Sequence, residues 1–219
     1  MSGGCGVGPH VSIMPPMILA FDTSSAACTA ALFDDAGTVV VARDDIIGRG
    51  HAERLVPMIG EMMTTTVRRA DKILVGVGPG SFTGIRVAIA AAHGLAIGWG
   101  AELMGLSSLA LLAAGAAPDG EVVAAVAGGH GELFVQQFDA GEPTSDLLNL
   151  SPAEAARATN AALVVGSGAA KLVEARGWGE ARELWPSAAN ALRLPQELRC
   201  LPPKPVYARA PDARVPEAA

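Results

Sequence analysis

The sequence predicts an α/β fold of two unequal lobes, and three observations predict it. Half of the 219 residues are hydrophobic, yet only 4 % are aromatic and 26 are Gly. Such an Ala-, Val-, Leu- and Gly-rich chain suits an α/β protein with tight helix contacts. Short apolar runs bounded by turn residues alternate with segments of helical period. A strand, hairpin and helix series fills the first half, and a shorter, less regular copy restarts near Glu121.

Residues 1–16 are rich in Gly and Pro, carry one His and no Lys or Arg, and lack the charged start and apolar core of a signal peptide. They are expected to be a disordered tail, with the fold beginning near Met17. Met17 to Phe21 is an apolar run ending at Asp22, as buried strands are. Cys28 to Phe33 and Thr38 to Ala42 are two further strand-like runs around the turn signal Asp34-Asp35-Ala36-Gly37. His51 to Met63 has a helical period, with Leu55, Met58, Ile59 and Met62 on one face and Pro57 inside the run. Ile73 to Val77 is a strand. The loop Gly78-Pro79-Gly80-Ser81-Phe82-Thr83-Gly84 follows, then a helix from about Ile85 to Ile97. Leu103 to Leu106 is a weaker strand, and Ser107 can cap a helix over Leu109 to Ala116.

The order β-β-β-α-β-α-β-α matches the ribonuclease-H-like half of the actin-like (ASKHA ATPase) fold. The expected domains are the tail 1–16, an N-terminal lobe 17–117 and a smaller degenerate C-terminal lobe 118–219. In the second copy Val122 to Ala127, Leu133 to Phe138 and Leu163 to Val165 read as strands, and Pro152 to Ala158 and Ala169 to Ala175 as helices. From Trp185 onward the chain reads as loop, one docking segment and a frayed end.

The net charge of −6 argues against a lone nucleic-acid binder, because phosphate contacts need a basic face. The best basic cluster, Arg68, Arg69 and Lys72, reads as a solvated loop. Three cysteines, Cys5, Cys28 and Cys200, form no C-x-x-C pair, which fits free thiols in a reducing cytoplasm. No stretch is expected to be long and apolar enough to span a membrane, since even the Gly84–Trp99 region carries Arg86 and His93.

Three segments together are specific: Ile18-Leu19-Ala20-Phe21-Asp22-Thr23-Ser24-Ser25, Gly50-His51-Ala52-Glu53-Arg54-Leu55-Val56-Pro57, and Gly76-Val77-Gly78-Pro79-Gly80-Ser81-Phe82-Thr83-Gly84-Ile85-Arg86. In order and spacing they resemble the bacterial TsaB (YeaZ) family, with good likeness over about Met17 to Leu112. Gly131-Glu132-Leu133-Phe134 and Pro205-Val206-Tyr207-Ala208-Arg209 are weaker matches. The resemblance implies a non-catalytic partner of TsaD, the subunit that forms N6-threonylcarbamoyladenosine at position 37 of tRNAs reading ANN codons. It also implies a TsaE-type ATPase in the same complex, tRNA contact only through that complex, a possible homodimer, no cofactor and a cytoplasmic location. The chain departs from the family at Ala127-Gly128-Gly129, where relatives carry Asp-Ala-Arg.

The residues agree with an inactive reading. TsaD-like enzymes hold a metal with a His-x-x-x-His pair on one helix face. None of the four His here has a His four residues away, and Leu55 stands at that position after His51. No metal site and no catalytic residue are therefore assigned. Glu53 beside His51 could suggest acid–base chemistry, but no nucleophile or orienting group accompanies it. Asp22 and Thr23 end a strand as phosphate-binding loops do, though without the usual Gly. Gly78, Gly80, Ser81 and Thr83 join a strand to a helix N-terminus, where anions are attracted. These six residues form a possible vestigial phosphate site, the alternative being a structural turn. The motifs predict an inactive chain that binds nucleotide weakly or not at all. A nucleotide-dependent ATPase or kinase and a metalloprotease are the rival readings; the first needs a second cleft acid, the second metal ligands.

A partner surface is expected on the two long helices. Gly84, Ala88, Ala92 and Ala96 recur every four residues, beside Ile85, and a helix apolar nearly all round needs covering on most sides. With His51, Leu55, Met58, Ile59 and Met62 they form the predicted docking face. The alternative is that both helices pack on the sheet and each other.

Overall fold

The computed structural model describes residues 16–66 and 68–207. The expected N-terminal tail, apart from Pro16, and the end of the chain, with Cys5 and Arg209, lie outside the described residues. The first lobe runs β1 (Ile18–Asp22), β2 (Ala27–Phe33), β3 (Val39–Ile46), α1 (His51–Met63), β4 (Lys72–Gly76), α2 (Phe82–Trp99), β5 (Glu102–Leu106) and α3 (Ser108–Ala116). The order is the expected one. Strand β3 is longer than expected, running on through Arg43-Asp44-Asp45, because an edge strand can carry charges on its solvent side. Helix α1 runs through Pro57.

The sheet order is β3-β2-β1-β4-β5. Strands β1, β2 and β3 pair antiparallel, and β1, β4 and β5 parallel. This is the ribonuclease-H-like sheet. Residues alternate across it as the pleat requires. Leu19, Phe21, Ile73 and Val75 face α1 and α2, while Ala20, Ala31, Phe33 and Leu74 face α3.

The second lobe runs β6 (Glu121–Ala127), β7 (Leu133–Asp139), β8 (Glu142–Pro143), β9 (Leu148–Leu150), α4 (Pro152–Ala158), β10 (Leu163–Val165), α5 (Ala169–Arg176) and β11 (Glu180–Arg182). Its sheet, β11-β10-β6-β7-β8 with β9 also on β7, repeats the scheme in shortened form. A capping box between Ser151 and Glu154 starts α4. The result is the actin-like two-lobe fold in five layers: α1 and α2, the first sheet, α3, the second sheet, then α4 and α5. Helix α3 is buried from Ser108 to Ala114, because both sheets cover it.

Two expectations are corrected here. The C-terminal lobe was expected to run from 118 to the end, but the segment from Leu184 returns to the first lobe. A 3-10 turn at Ala188–Arg193 packs Ala188, Ala191 and Leu194 under the first sheet. The short α6 (Gln196–Arg199) follows, Leu201 bridges Gly105 on β5, and the Val206 N–H donates to the Val77 carbonyl at 2.9 Å. The physical reason is that the first sheet's lower face is apolar and α3 covers only part of it. The second correction concerns α2. With 18 residues at a mean hydropathy of 1.3, it is long and apolar enough to cross a bilayer. It lies on the first sheet, with Ile85, Ala88, Ile89 and Ala92 buried.

Candidate functional site

Strand β1 carries Asp22 to the sheet's end, beneath the loop between β4 and α2. The side chain is fully buried, and both oxygens are used. Oδ1 accepts from the backbone N–H and the hydroxyl of Ser24, each at 2.7 Å. Oδ2 accepts from the Ser108 hydroxyl at 2.5 Å, and Ser108 Oγ accepts from the Gly78 N–H. Burial raises the Asp22 carboxyl above its ordinary range, and the hydrogen bonds from Ser108 and Ser24 oppose that rise. Thr23 is also buried, and its hydroxyl donates to the Gly84 carbonyl at 2.7 Å.

The glycines of the loop have a steric reason within the chain. A Cβ at Gly84 would lie 1.9 Å from the Thr23 carbonyl oxygen, and one at Gly80 2.2 Å from that of Ser24. The Ser81 N–H donates to that same Ser24 oxygen, and the Ser81 hydroxyl caps α2 by accepting from the Gly84 N–H at 3.2 Å. Of the six possible phosphate-site residues, Asp22 and Thr23 are thus enclosed in the first lobe and Gly78 is buried. Thr83 is exposed on α2, and only Gly80 and Ser81 reach the cleft described below.

The predicted docking face is corrected. Leu55, Met58, Ile59, Met62, Ile85, Ala88 and Ala92 form one core cluster with the upper face of the first sheet. They are spent on that sheet, because β1, β2 and β4 present a continuous apolar surface that must be covered. Ala96 packs half-buried against the same cluster. His51 starts α1 half-buried, and its Nε2 is enclosed with no hydrogen-bond partner among the described residues. The surface these helices leave free is different: Val56 and Phe82 are more than half exposed and Ile97 is 84 % exposed. Among the described residues, a Cβ added at Gly60, Gly94 or Gly98 would meet nothing within 4 Å.

Between the lobes lies a cleft of about 1250 Å³. The first lobe lines it with Ser24, Ser25, Gly80, Ser81, Phe82 and Arg86, the second with Val126 to Gly129, Phe134 and Ser167, and the returning segment with Trp185, Val206 and Tyr207. Arg86 lies over the Phe82 ring, its Cζ 3.6 Å from the centroid, and 5.9 Å from the Tyr207 ring centroid. Its Nε–H donates to the Tyr207 hydroxyl at 3.1 Å. Sequence reasoning missed this cluster. Its signal was present in the Pro205-Val206-Tyr207 motif, which carries the tyrosine back to α2. It also missed Ser108, which reads in sequence as the start of a helix and nothing more.

Among the described residues no three His, Cys, Asp or Glu side chains converge as a metal cage would. Cys28 is buried, and that burial, reinforced by the Asp45 carboxylate, pushes its thiol up to about 11. It stays protonated and unreactive at neutral pH.

Residues 44–181 match the family model described as TsaD, tRNA N6-adenosine threonylcarbamoyltransferase. The chain is 37 % identical over 131 residues to the tRNA threonylcarbamoyladenosine biosynthesis protein TsaB of Escherichia coli K12, a stretch of 57 % of this chain and 56 % of that one. It is 33 % identical over 135 residues to TsaB of Haemophilus influenzae, covering 59 % and 56 % of the two. The matched stretch thus spans little more than half the length of these curated relatives. A solved structure of YeaZ from Pseudomonas aeruginosa superposes with a TM-score of 0.74 at 27 % identity, over 88 % of this chain and 99 % of that one. The chain with the locked Asp22, the glycine loop and the two unequal lobes belongs to the TsaD family, and within it to the TsaB (YeaZ) members.

Proposed function

We propose that this chain is a non-catalytic subunit in the cytoplasmic pathway that forms N6-threonylcarbamoyladenosine at position 37 of tRNAs reading ANN codons. It supports a TsaD-type catalytic subunit, works beside a TsaE-type ATPase, and meets tRNA through the complex. One observation carries the non-catalytic reading. Asp22, the acid that a nucleotide-using relative of this fold would turn toward a metal, is fully buried with both oxygens occupied by Ser24 and Ser108. Freeing it would leave a carboxylate without partners, which is costly in an apolar interior.

The docking reading is supported by the outer surface of α1 and α2, not by the stripe the sequence suggested. Val56 and Ile97 stand exposed there. Gly60 and Gly94 sit inside helices, where Gly costs about 1 kcal/mol relative to Ala, and among the described residues nothing lies within 4 Å of a Cβ built at either. Close approach by another subunit accounts for both. Co-purification with the TsaD-type subunit of the same cell tests the role. Val56→Asp combined with Ile97→Asp is expected to keep the fold and abolish recovery of the partner. Recovery of the folded variant's partner at wild-type yield would sink the proposed face.

A further inference from the structure

Strand β3 ends the first sheet, and among the described residues no strand pairs with its outer edge. The Ile47 N–H donates to the Ala26 carbonyl at 3.0 Å and so faces β2. By the alternation of an antiparallel ladder, Asp45 and Arg43 also turn their backbone groups to β2, while Ala42, Asp44 and Ile46 turn theirs outward. Charges on an edge strand usually blunt it against other chains. Here they are placed so that one partner escapes the repulsion. Arg43 and Asp45 stand two apart on the α1 side of the strand, where Arg54 of α1 reaches Asp45. Among the described residues the Arg43 guanidinium donates only to its own Ala42 carbonyl. Arg54 takes Oδ2 of Asp45 at 2.7 Å, and Oδ1 has no hydrogen bond among the described residues. The strand therefore carries an open donor and an open acceptor side by side. On its other side, the Thr29 and Ser187 hydroxyls draw the Asp44 carboxylate back from the edge, and Ile46 is 57 % exposed.

We propose that β3 recognises a second copy of this chain: the two β3 edges pair antiparallel about a two-fold axis, with Arg43 of each opposite Asp45 of the other. In that register the outward backbone groups of Ala42 meet those of Ile46, and Asp44 meets its own copy, as the hydrogen-bonded pairs of a ladder require. The open donor finds the open acceptor twice, and Ile46 is covered twice by Ala42. The one like-charged pair is Asp44 with Asp44, and those carboxylates are already turned toward β2 and the returning segment. The two neighbouring registers would set Arg43 opposite Arg43 or Asp45 opposite Asp45, which like charges disfavour. The charges thus select one register. They also select the occupant, because a contact between identical patches needs each residue to find its complement on the same strand, and this strand supplies it. One strand pair is a small interface, so the dimer is reversible, with a Kd above about 10 μM. The contact uses neither Val56 nor Ile97, and it stands or falls apart from the partner role.

Sedimentation equilibrium of the full chain tests it, over concentrations from about 5 μM to about 1 mM. Monomer at the low end and dimer at the high end are expected. Arg43→Glu sets an acid opposite Asp45, and Asp45→Arg sets a cation opposite Arg43. Each variant alone should dimerise about tenfold more weakly or not at all. An equal mixture of the two should associate at about wild-type strength, because each new charge then meets its opposite on the other chain. Arg43 is exposed, so Arg43→Glu is expected to match the wild-type thermal melt. Asp45→Arg also gives up a partly exposed ion pair with Arg54, a small loss. Val56→Asp combined with Ile97→Asp should dimerise as the wild type does. A monomer throughout the range, a dimer that folded Arg43→Glu leaves at full strength, a mixture no tighter than either variant alone, or a dimer lost in the Val56 and Ile97 variant would each overturn the proposal.

Discussion

The Ser108 hydroxyl donates to Oδ2 of Asp22 at 2.5 Å, joining residues 86 positions apart, and Ser108 Oγ itself accepts from the Gly78 N–H at 3.2 Å. One serine therefore ties β1, the glycine loop and the central helix together. Ser108→Ala leaves a buried carboxylate oxygen and a buried N–H each short of a partner. It is expected to cost about 1–3 kcal/mol. Urea denaturation measures it. The neighbouring Ser107→Ala, which removes a helix cap donated to by the Ala110 N–H, should cost about 1 kcal/mol. A Ser108 effect no larger than that of Ser107 would contradict the assignment.

Asp22 makes stability depend on pH. Its carboxyl titrates higher in the folded chain than the unfolded value of 3.8, because burial disfavours the charge. The folded state therefore holds the proton longer. The stabilising contribution is full below pH 3.8 and is lost as pH rises through the folded value. Asp22→Asn cannot titrate there. Its stability relative to wild type is expected to increase as pH rises from about 4, then level off. A difference that stays constant between pH 4 and 8 would show that the carboxyl is not held above its ordinary range.

Glycines of one helix are predicted to behave oppositely. Gly84→Ala places a Cβ 1.9 Å from the Thr23 carbonyl, a backbone atom fixed by β1, so the loops must part. A loss above about 3 kcal/mol or failure to fold is expected. Gly94→Ala, ten residues on, meets open space. It should stabilise the isolated chain by about 1 kcal/mol. Thermal melts of the two variants side by side decide the point.

Removing the chain after Cys200 deletes the Leu201 bridge to Gly105 and the Val206 bond to Val77. The outer edge of β5 is then uncovered, and open edges pair with other chains. Lower thermal stability and concentration-dependent association in sedimentation are expected. A truncated chain that stays monomeric with an unchanged melt would contradict this.

The first lobe was legible in the sequence because its signals are local. Asp34-Asp35-Ala36-Gly37 marks the hairpin, Ser81 and Ser107 cap helices, and the β4–α2 loop is punctuated by Gly and Pro. What failed was the choice between two apolar surfaces. Leu55, Met58 and Ala92 read as an unpartnered stripe because the sequence does not show that the sheet above which they lie is apolar on that side too. The site was legible only in part. Asp22 and the glycine loop stand out by type and spacing. Ser108, Arg86 and Tyr207 acquire meaning only from pairings across 86 and 121 positions, which no periodicity reports.

The return of the chain from Leu184 to Tyr207 has a consequence for the order in which the molecule is made. The first sheet contains the earliest strands, yet its lower face is sealed by Ala188, Ala191 and Leu194, and the outer edge of its last strand by Leu201. A ribosome releases β1 to β5 long before these covers exist. During synthesis the finished sheet waits, one face covered only in part by α3 and one edge bare, through the whole of the second lobe. The first lobe is therefore the first to be written and the last to be closed, and its exposed interval is set by the length of the smaller lobe.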